Sequence, residues 1–282
     1  MIIQTMSGIG DNIYFRPVLK WLHTNNVTLI TPWPQVYQDI KGVKFAKPYN
    51  SYLRTQNDNI KAFKNWDAVD LRASYHLNFT TLKGSFLTNF FDIVYGQQPS
   101  WVDSSMIIPD AWVVDASNLI NSSKPVCLIR PNTIRLEWPC HARNPKHEYL
   151  QLFIDMYRDK YHFVSIANLC HGEEFYEKEL KVDQEILNCT YEQTVGLFKL
   201  ADLIVCSPSF WMPLGIALNL KTLVIYGAAD AHWDLNDKRM KAPRLVYVEP
   251  TPFHRCSVRD NNVYKDINQD VLLDAFEEVM KR

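Results

Sequence analysis

Hydrophobic residues fall in short runs separated by polar turns, and their spacing changes from segment to segment. The chain opens with Met1-Ile2-Ile3, a strand-like run, and a glycine turn follows, Ser7-Gly8-Ile9-Gly10-Asp11. Ile13, Val18, Leu19 and Leu22 then recur at helical spacing. Val27-Thr28-Leu29-Ile30-Thr31 is a β-branched run ending at Pro32 and predicts a strand. Strand, glycine turn, helix and strand make a βαβ unit, from which parallel sheets are built.

Residues 33–109 are less regular, with a short strand over 67–71 and an aromatic-rich helix over 86–95. The polar passage 115–125 (DASNLINSSKP) predicts a linker between domains 1–120 and 121–282. The second half starts again with an apolar strand over 126–129 and a loop over 130–145. The pattern then predicts a helix over 146–159, a strand over 162–167, helices near 173–179 and 192–201, and a strand over 203–206. A helix from about 209, a strand over 222–226 and an amphipathic helix over 268–281 complete the chain. That last helix is a candidate to pack back on the first half. Each half therefore opens with a strand and a polar loop, an α/β architecture of two Rossmann-like domains.

Composition narrows the class. At 282 residues, with 47% hydrophobic and 22% charged residues, the chain can bury a core, which excludes disorder. A net charge of -1 excludes a uniformly basic surface for long nucleic acid but leaves room for a local basic groove. The six cysteines form no C-x-x-C pair, and Cys127 and Cys206 sit inside apolar runs. This usage points away from a disulfide framework and to a reducing, cytoplasmic compartment. No signal peptide is visible, and no apolar run reaches the roughly 20 residues needed to span a bilayer.

Three stretches carry candidate chemistry. In the first, Gly8-x-Gly10 begins a dinucleotide fingerprint, but Ile13 takes the third glycine position and no acidic residue closes the next strand. Asp11 sits near a helix N-terminus, where the helix dipole favours its charged form; a base and a plain cap both fit that place. In the second, Arg130, Arg135, Arg143 and Lys146 cluster after a strand, shaped by Pro131, Pro139 and Pro145. Such a cluster suits a diphosphate or a solvated surface. His141 and His147 are weaker candidates, with no third ligand spaced for a metal. In the third, Ser207 and Ser209 precede a helix whose N–H groups suit an anion, and an ordinary cap fits as well. Asp230 and His232 lie in the loop after Gly227, at the end of the following strand.

The run Gly8-Ile9-Gly10-Asp11-Asn12-Ile13, with Pro17 and Leu19 after it, resembles the opening of family 9 glycosyltransferases, the heptosyltransferases and their relatives. The resemblance implies the GT-B fold, two Rossmann-like domains facing across a cleft. The first would bind the acceptor and the second a nucleotide-sugar donor. It implies that Asp11 is the catalytic base of an inverting transfer, set in the turn of Gly8 and Gly10. It makes Arg130 and Arg135 phosphate contacts and assigns Glu173 or Glu174 to the donor's ribose hydroxyls, unless that glutamate only favours a helix's first turn. Ser207, Ser209 and the Tyr226-Gly227 pair match the family's donor segment. Ser207-Pro208-Ser209 and Met212-Pro213 replace the usual Asp-x-Gly turn and helix His, so a heptose donor does not follow.

Compact relatives of a phage type widen the acceptor to a hydroxymethylpyrimidine in DNA, beside a lipopolysaccharide or other glycan. Arg16, Lys20, Arg54, Lys61, Lys64, Arg72 and Lys83 would serve the DNA phosphates. No D-x-D triplet occurs, which favours a mechanism without a metal or other cofactor, the nucleotide sugar being a co-substrate. The competing readings are a non-catalytic nucleotide-sugar binder or scaffold and a dinucleotide oxidoreductase.

Overall fold

A computed structural model describes residues 1–22, 26–48, 69–70, 85–135, 141–169, 174–227, 229–230, 237–251, 254–255 and 266–282. The chain divides into two compact units, Met1–Met106 with His232–Ala242, and Ile107–Ala231 with Pro243–Arg282.

The first unit contains β1 (Ile2–Gln4), α1 (Ile9–Trp21), β2 (Val27–Ile30), β3 (Val43–Ala46), β4 (Val69–Asp70) and α2 (Phe86–Tyr95). Its strands form a parallel sheet in the order β3-β2-β1-β4. The chain adds β2 and β3 on one side of β1 and then returns to lay β4 on the other, so the strand order reverses between β1 and β4. Ligands of open α/β sheets bind at such a reversal, outside the carboxyl ends of the strands. Helix α1 is buried from Asn12 to Leu19. The residues that gave its periodicity, Ile13, Val18, Leu19 and Leu22, are all in the core. Phe15 meets Phe90 of α2 edge to face at 5.4 Å.

The second unit opens with α3 (Asp110–Ser117), β5 (Val126–Ile129), β6 (Thr133–Arg135), α4 (His147–Tyr157), β7 (His162–Ala167), β8 (Glu174–Tyr176) and β9 (Gln184–Leu187). It continues with α5 (Tyr191–Leu200), β10 (Leu203–Cys206), α6 (Trp211–Ala217), β11 (Thr222–Ile225), β12 (Ala229–Asp230), β13 (Leu245–Val248), β14 (His254–Arg255) and α7 (Gln269–Lys281). The main sheet is parallel, in the order β13-β11-β10-β5-β7-β9. β5, β10 and β11 are buried at every position, which explains their unbroken apolar runs. Leu150, Phe153 and Ile154 of α4 and Leu272, Phe276 and Val279 of α7 pack on one face, against Cys127, Ile129, Phe163, Val205, Leu223 and Ile225. The last helix thus buries its apolar stripe in the core of the second unit. Here the strand order reverses between β5 and β10.

Two expectations change. The helix expected near 173–179 is the strand β8, which pairs antiparallel with β6, Arg135 opposite Glu174 and Thr133 opposite Tyr176. The acidic run suggested a first helical turn, but the pairing with β6, some forty residues earlier, satisfies this backbone instead. The stretch 130–145, expected as one loop, contains β6 and a 3-10 turn, His141–Arg143. The passage 115–125 opens in the last turn of α3, and the boundary between the units falls at Met106 and Ile107. Gly196 of α5 packs directly on the Trp112 carbonyl of α3, a contact only a residue without a Cβ permits.

Candidate functional site

In the first unit the glycine turn follows the carboxyl end of β1, at the strand-order reversal. Asn12, wholly buried, holds the turn in place. Its Nδ2 donates to the carbonyls of Met6 (2.8 Å) and Gly8 (2.6 Å). Its Oδ1 accepts from Thr31 Oγ1 (3.0 Å) and Tyr37 OH (2.8 Å). All four hydrogen-bonding positions of the amide are used. Trp33 Nε1 donates to the Ser7 carbonyl at 2.7 Å. The consecutive carbonyls of Met6, Ser7 and Gly8, leading into the turn, are therefore each fixed by a side chain.

Gly8 is the N-cap of α1, with no side-chain cap, and Gly10 and Asp11 lie in the first turn. Asp11 is half-buried. Its carboxylate leans over Gly8, where a Cβ would stand 2.7 Å from Oδ2. The aspartate thus sits at the positive end of the helix, at the edge where this sheet type binds ligands.

Two cations counted for DNA phosphates have other partners. Arg16 is completely buried and pairs bidentately with Asp39, Nη1 to Oδ1 at 2.8 Å and Nη2 to Oδ2 at 2.7 Å. It also donates to the carbonyls of Val36 and Ser105. Lys20 pairs with Asp103 at 2.8 Å and with Ser105. Arg54, Lys61, Lys64, Arg72 and Lys83 lie outside the described residues.

In the second unit Arg130 and Ser207 directly follow β5 and β10, the two strands at the reversal, and Arg130 N donates to the Val205 carbonyl at 2.9 Å. The Arg130 guanidinium contacts Glu174 at 3.2 Å and lies over the Phe210 ring at 5.9 Å. Thr133 Oγ1 donates to the same Glu174 oxygen. That carboxylate, named as an alternative ribose ligand, thus anchors Arg130 and Thr133. Glu173 lies outside the described residues. Arg135 ends β6. From the 3-10 turn, Arg143 Nη2 donates to the Pro208 carbonyl at 2.9 Å, tying the turn to the loop after β10.

Gly227 follows β11, and the backbone of the same turn crosses it. A Cβ there would collide with the Ala142 carbonyl and stand 2.5 Å from the Asn144 carbonyl. Sequence reasoning took Gly227 as part of the donor segment; the structure adds that it lets the turn 141–144 lie on the sheet edge.

The free N–H groups expected before α6 are spent internally. Trp211 N donates to Ser209 Oγ at 3.3 Å and Met212 N to the Ser209 carbonyl at 3.2 Å. Pro213 has no N–H, and Leu214 N bonds the Phe210 carbonyl. Ser209 Oγ thus meets the first N–H of α6, but the N-cap position is held by Phe210, without a side-chain cap, and Ser207 is buried. Asp230 lies in β12 opposite Arg255, and His232 is outside the described residues.

Sequence reasoning named His141 only weakly and Glu177 not at all. The ring Nδ1 of His141 lies 2.9 Å from Glu177 Oε1. Asn144 Nδ2 donates to Glu177 Oε2 at 2.9 Å and to the Thr133 carbonyl at 3.0 Å. Arg130, Glu174, Thr133, Asn144, Glu177 and His141 thus form one hydrogen-bonded line along the β6–β8 pair. Among the described residues no three His, Cys, Asp or Glu side chains gather to hold a metal ion. Nor is any helix there long and apolar enough to cross a membrane.

No family model and no curated protein matches the sequence. Solved structures do match. The E. coli ADP-heptose lipopolysaccharide heptosyltransferase II aligns with a TM-score of 0.60 at 12% identity, over 99% of this chain and 98% of that one. A family 9 glycosyl transferase from Veillonella parvula DSM 2008 aligns at 0.58 and 12% identity, over 99% and 94%. The iron-containing dodecameric glycosyltransferase TibC of enterotoxigenic E. coli H10407 aligns at 0.58 and 12% identity, over 100% and 78%. The chain has the fold of these enzymes, the GT-B fold.

Proposed function

We propose that this chain is a glycosyltransferase that moves a sugar from a nucleotide-sugar donor to a hydroxyl of a glycan, with inversion and without a metal. The observation that carries the reading is Asp11, a carboxylate held at the N-terminus of α1 outside the carboxyl end of β1. The whole-chain likeness to heptosyltransferase II supports it. In this reading Asp11 takes the proton of the acceptor hydroxyl as its oxygen attacks C1 of the sugar. The nucleoside diphosphate leaves from the opposite face, so the anomeric configuration inverts. Arg130, at the strand reversal of the second unit, meets the diphosphate, doing the electrostatic work a cation would otherwise do. A glycan acceptor is favoured over DNA because Arg16 and Lys20 are committed to Asp39 and Asp103.

The test begins with a thermal-shift panel of ADP-heptose and UDP-, GDP- and dTDP-sugars, with NAD and FAD as controls, since a ligand of the native state raises the melting temperature. The donor so found is then offered with lipopolysaccharide, other glycans and hydroxymethylated DNA. Asp11→Ala should bind the donor normally and lose turnover. A shift with NAD or FAD alone would overturn the reading. Donor binding without transfer to any acceptor would leave a nucleotide-sugar binder, and transfer to the DNA alone would restore the other acceptor.

A further inference from the structure

We infer that His141, oriented by Glu177, binds the leaving diphosphate; this rests on the donor reading above. The turn that carries His141 is fixed at three points of the sheet's carboxyl edge. It crosses Gly227 after β11, its Arg143 holds the Pro208 carbonyl after β10, and Asn144 holds the Thr133 carbonyl beyond β5. It therefore borders the crevice at the β5–β10 reversal, where a ligand of this sheet sits.

Glu177 fixes the ring. Its Oε1 faces His141 Nδ1 at 2.9 Å, and its Oε2 is held by Asn144. Its own N–H donates to the Asn132 carbonyl at 3.0 Å. A carboxylate at Nδ1 makes that nitrogen the donor and turns Nε2 away from it. The His141 side chain is 34% exposed while Glu177 is 15% exposed, so the ring is reachable and its anchor is not. With both ring nitrogens protonated, the imidazolium donates Nδ1–H to Glu177 and presents Nε2–H to an anion in front.

In the transfer, the acceptor oxygen bonds to C1 and its proton passes to Asp11. The bond from C1 to the diphosphate oxygen breaks, and its electron pair stays on that oxygen. The diphosphate gains negative charge, and the His141 Nε2–H donates to it. No proton need be transferred at this step. Glu177 touches no substrate and is a positioning residue.

Calorimetric titration of the full chain with ADP, UDP, GDP and dTDP, and with the matching nucleosides, tests this. For the nucleotide that binds, His141→Ala and His141→Gln should weaken the diphosphate about tenfold, the loss of one charge-assisted hydrogen bond. The nucleoside should bind unchanged. Glu177→Gln should weaken the diphosphate by a smaller factor, again sparing the nucleoside, which a merely structural role would not do. Equal diphosphate affinity in wild type and both His141 variants would overturn the inference alone. Parallel losses for nucleoside and diphosphate would also overturn it, because they mark a misplaced turn. A wild-type chain that binds none of the four diphosphates would overturn the donor reading and this inference with it.

Discussion

The Asp11 carboxylate lies against Gly8 so closely that a Cβ on the glycine would stand 2.7 Å from Oδ2 and 3.4 Å from Cγ. Gly8 itself has φ -77° and ψ 139°, a conformation open to any residue. Alanine there meets only the mobile end of one side chain. Gly8→Ala should therefore fold with a stability change within about 1 kcal/mol. It should still shift the carboxylate, and a displacement near 1 Å at a catalytic group can lower turnover on the order of a hundredfold. Melting temperature and turnover, measured together, check this. Full turnover in a normally folded Gly8→Ala would show that Asp11 does not need its present place.

The Arg16–Asp39 pair is buried on both sides, with side-chain exposures of 0% and 7%. Removing one partner leaves a charge in the core, which costs about 3–5 kcal/mol. Asp39→Ala should lose stability in that range in urea unfolding. Arg16→Met combined with Asp39→Leu, which removes both charges, should recover most of it. A double variant no more stable than the single would mean that the hydrogen bonds from Arg16 to Val36 and Ser105, not the ion pair, hold this region.

A Cβ at Gly227 meets backbone, not a side-chain end, so the 141–144 turn must move to admit it. Gly227→Ala should destabilise the protein by about 1–3 kcal/mol, the usual penalty of overpacking. It should also weaken the nucleoside diphosphate, because His141 and Arg143 ride on that turn. Unfolding and calorimetry separate the two effects. Intact affinity in a clearly destabilised variant would place the turn outside the donor site.

These residues also show where sequence reading works and where it stops. β5 and β10 were legible because a parallel strand covered on both faces needs an unbroken apolar run, and VCLI and LIVC are such runs. Helices α1 and α7 were legible from their 3.6-residue spacing. Asn12 was not, since its hydroxyl partners Thr31 and Tyr37 lie 19 and 25 residues away. Arg16 looked like a free cation for the same reason, with Asp39 23 residues off. The β6–β8 pairing, and with it the His141–Glu177 contact 36 residues apart, depends on where the chain returns after β7. Local pattern carries no signal for any of these.

Asp237 joins the segment 237–241 to the start of α2. It receives hydrogen bonds from Arg239 Nε and Nη2 (2.9 and 2.6 Å) and from Ser85 Oγ. Burial alone would raise its carboxyl, but the bonds from Arg239 and Ser85 outweigh this and hold it below the usual carboxylate range. Asp103 is lowered likewise, burial being outweighed by Lys20 and Ser105. A depressed folded value stabilises fully above the unfolded value of about 3.9, and that stability is lost as pH falls through the folded value. Wild-type stability should therefore drop below about pH 4. Asp237→Asn should be less stable at pH 7, where Arg239 has lost its counter-charge, and its stability should fall less on acidification. Urea unfolding of both proteins from neutral pH to about pH 2.5 measures the difference. Parallel curves for the two would mean that Asp237 titrates alike folded and unfolded and that its bonds to Arg239 and Ser85 contribute nothing selective for the charged form.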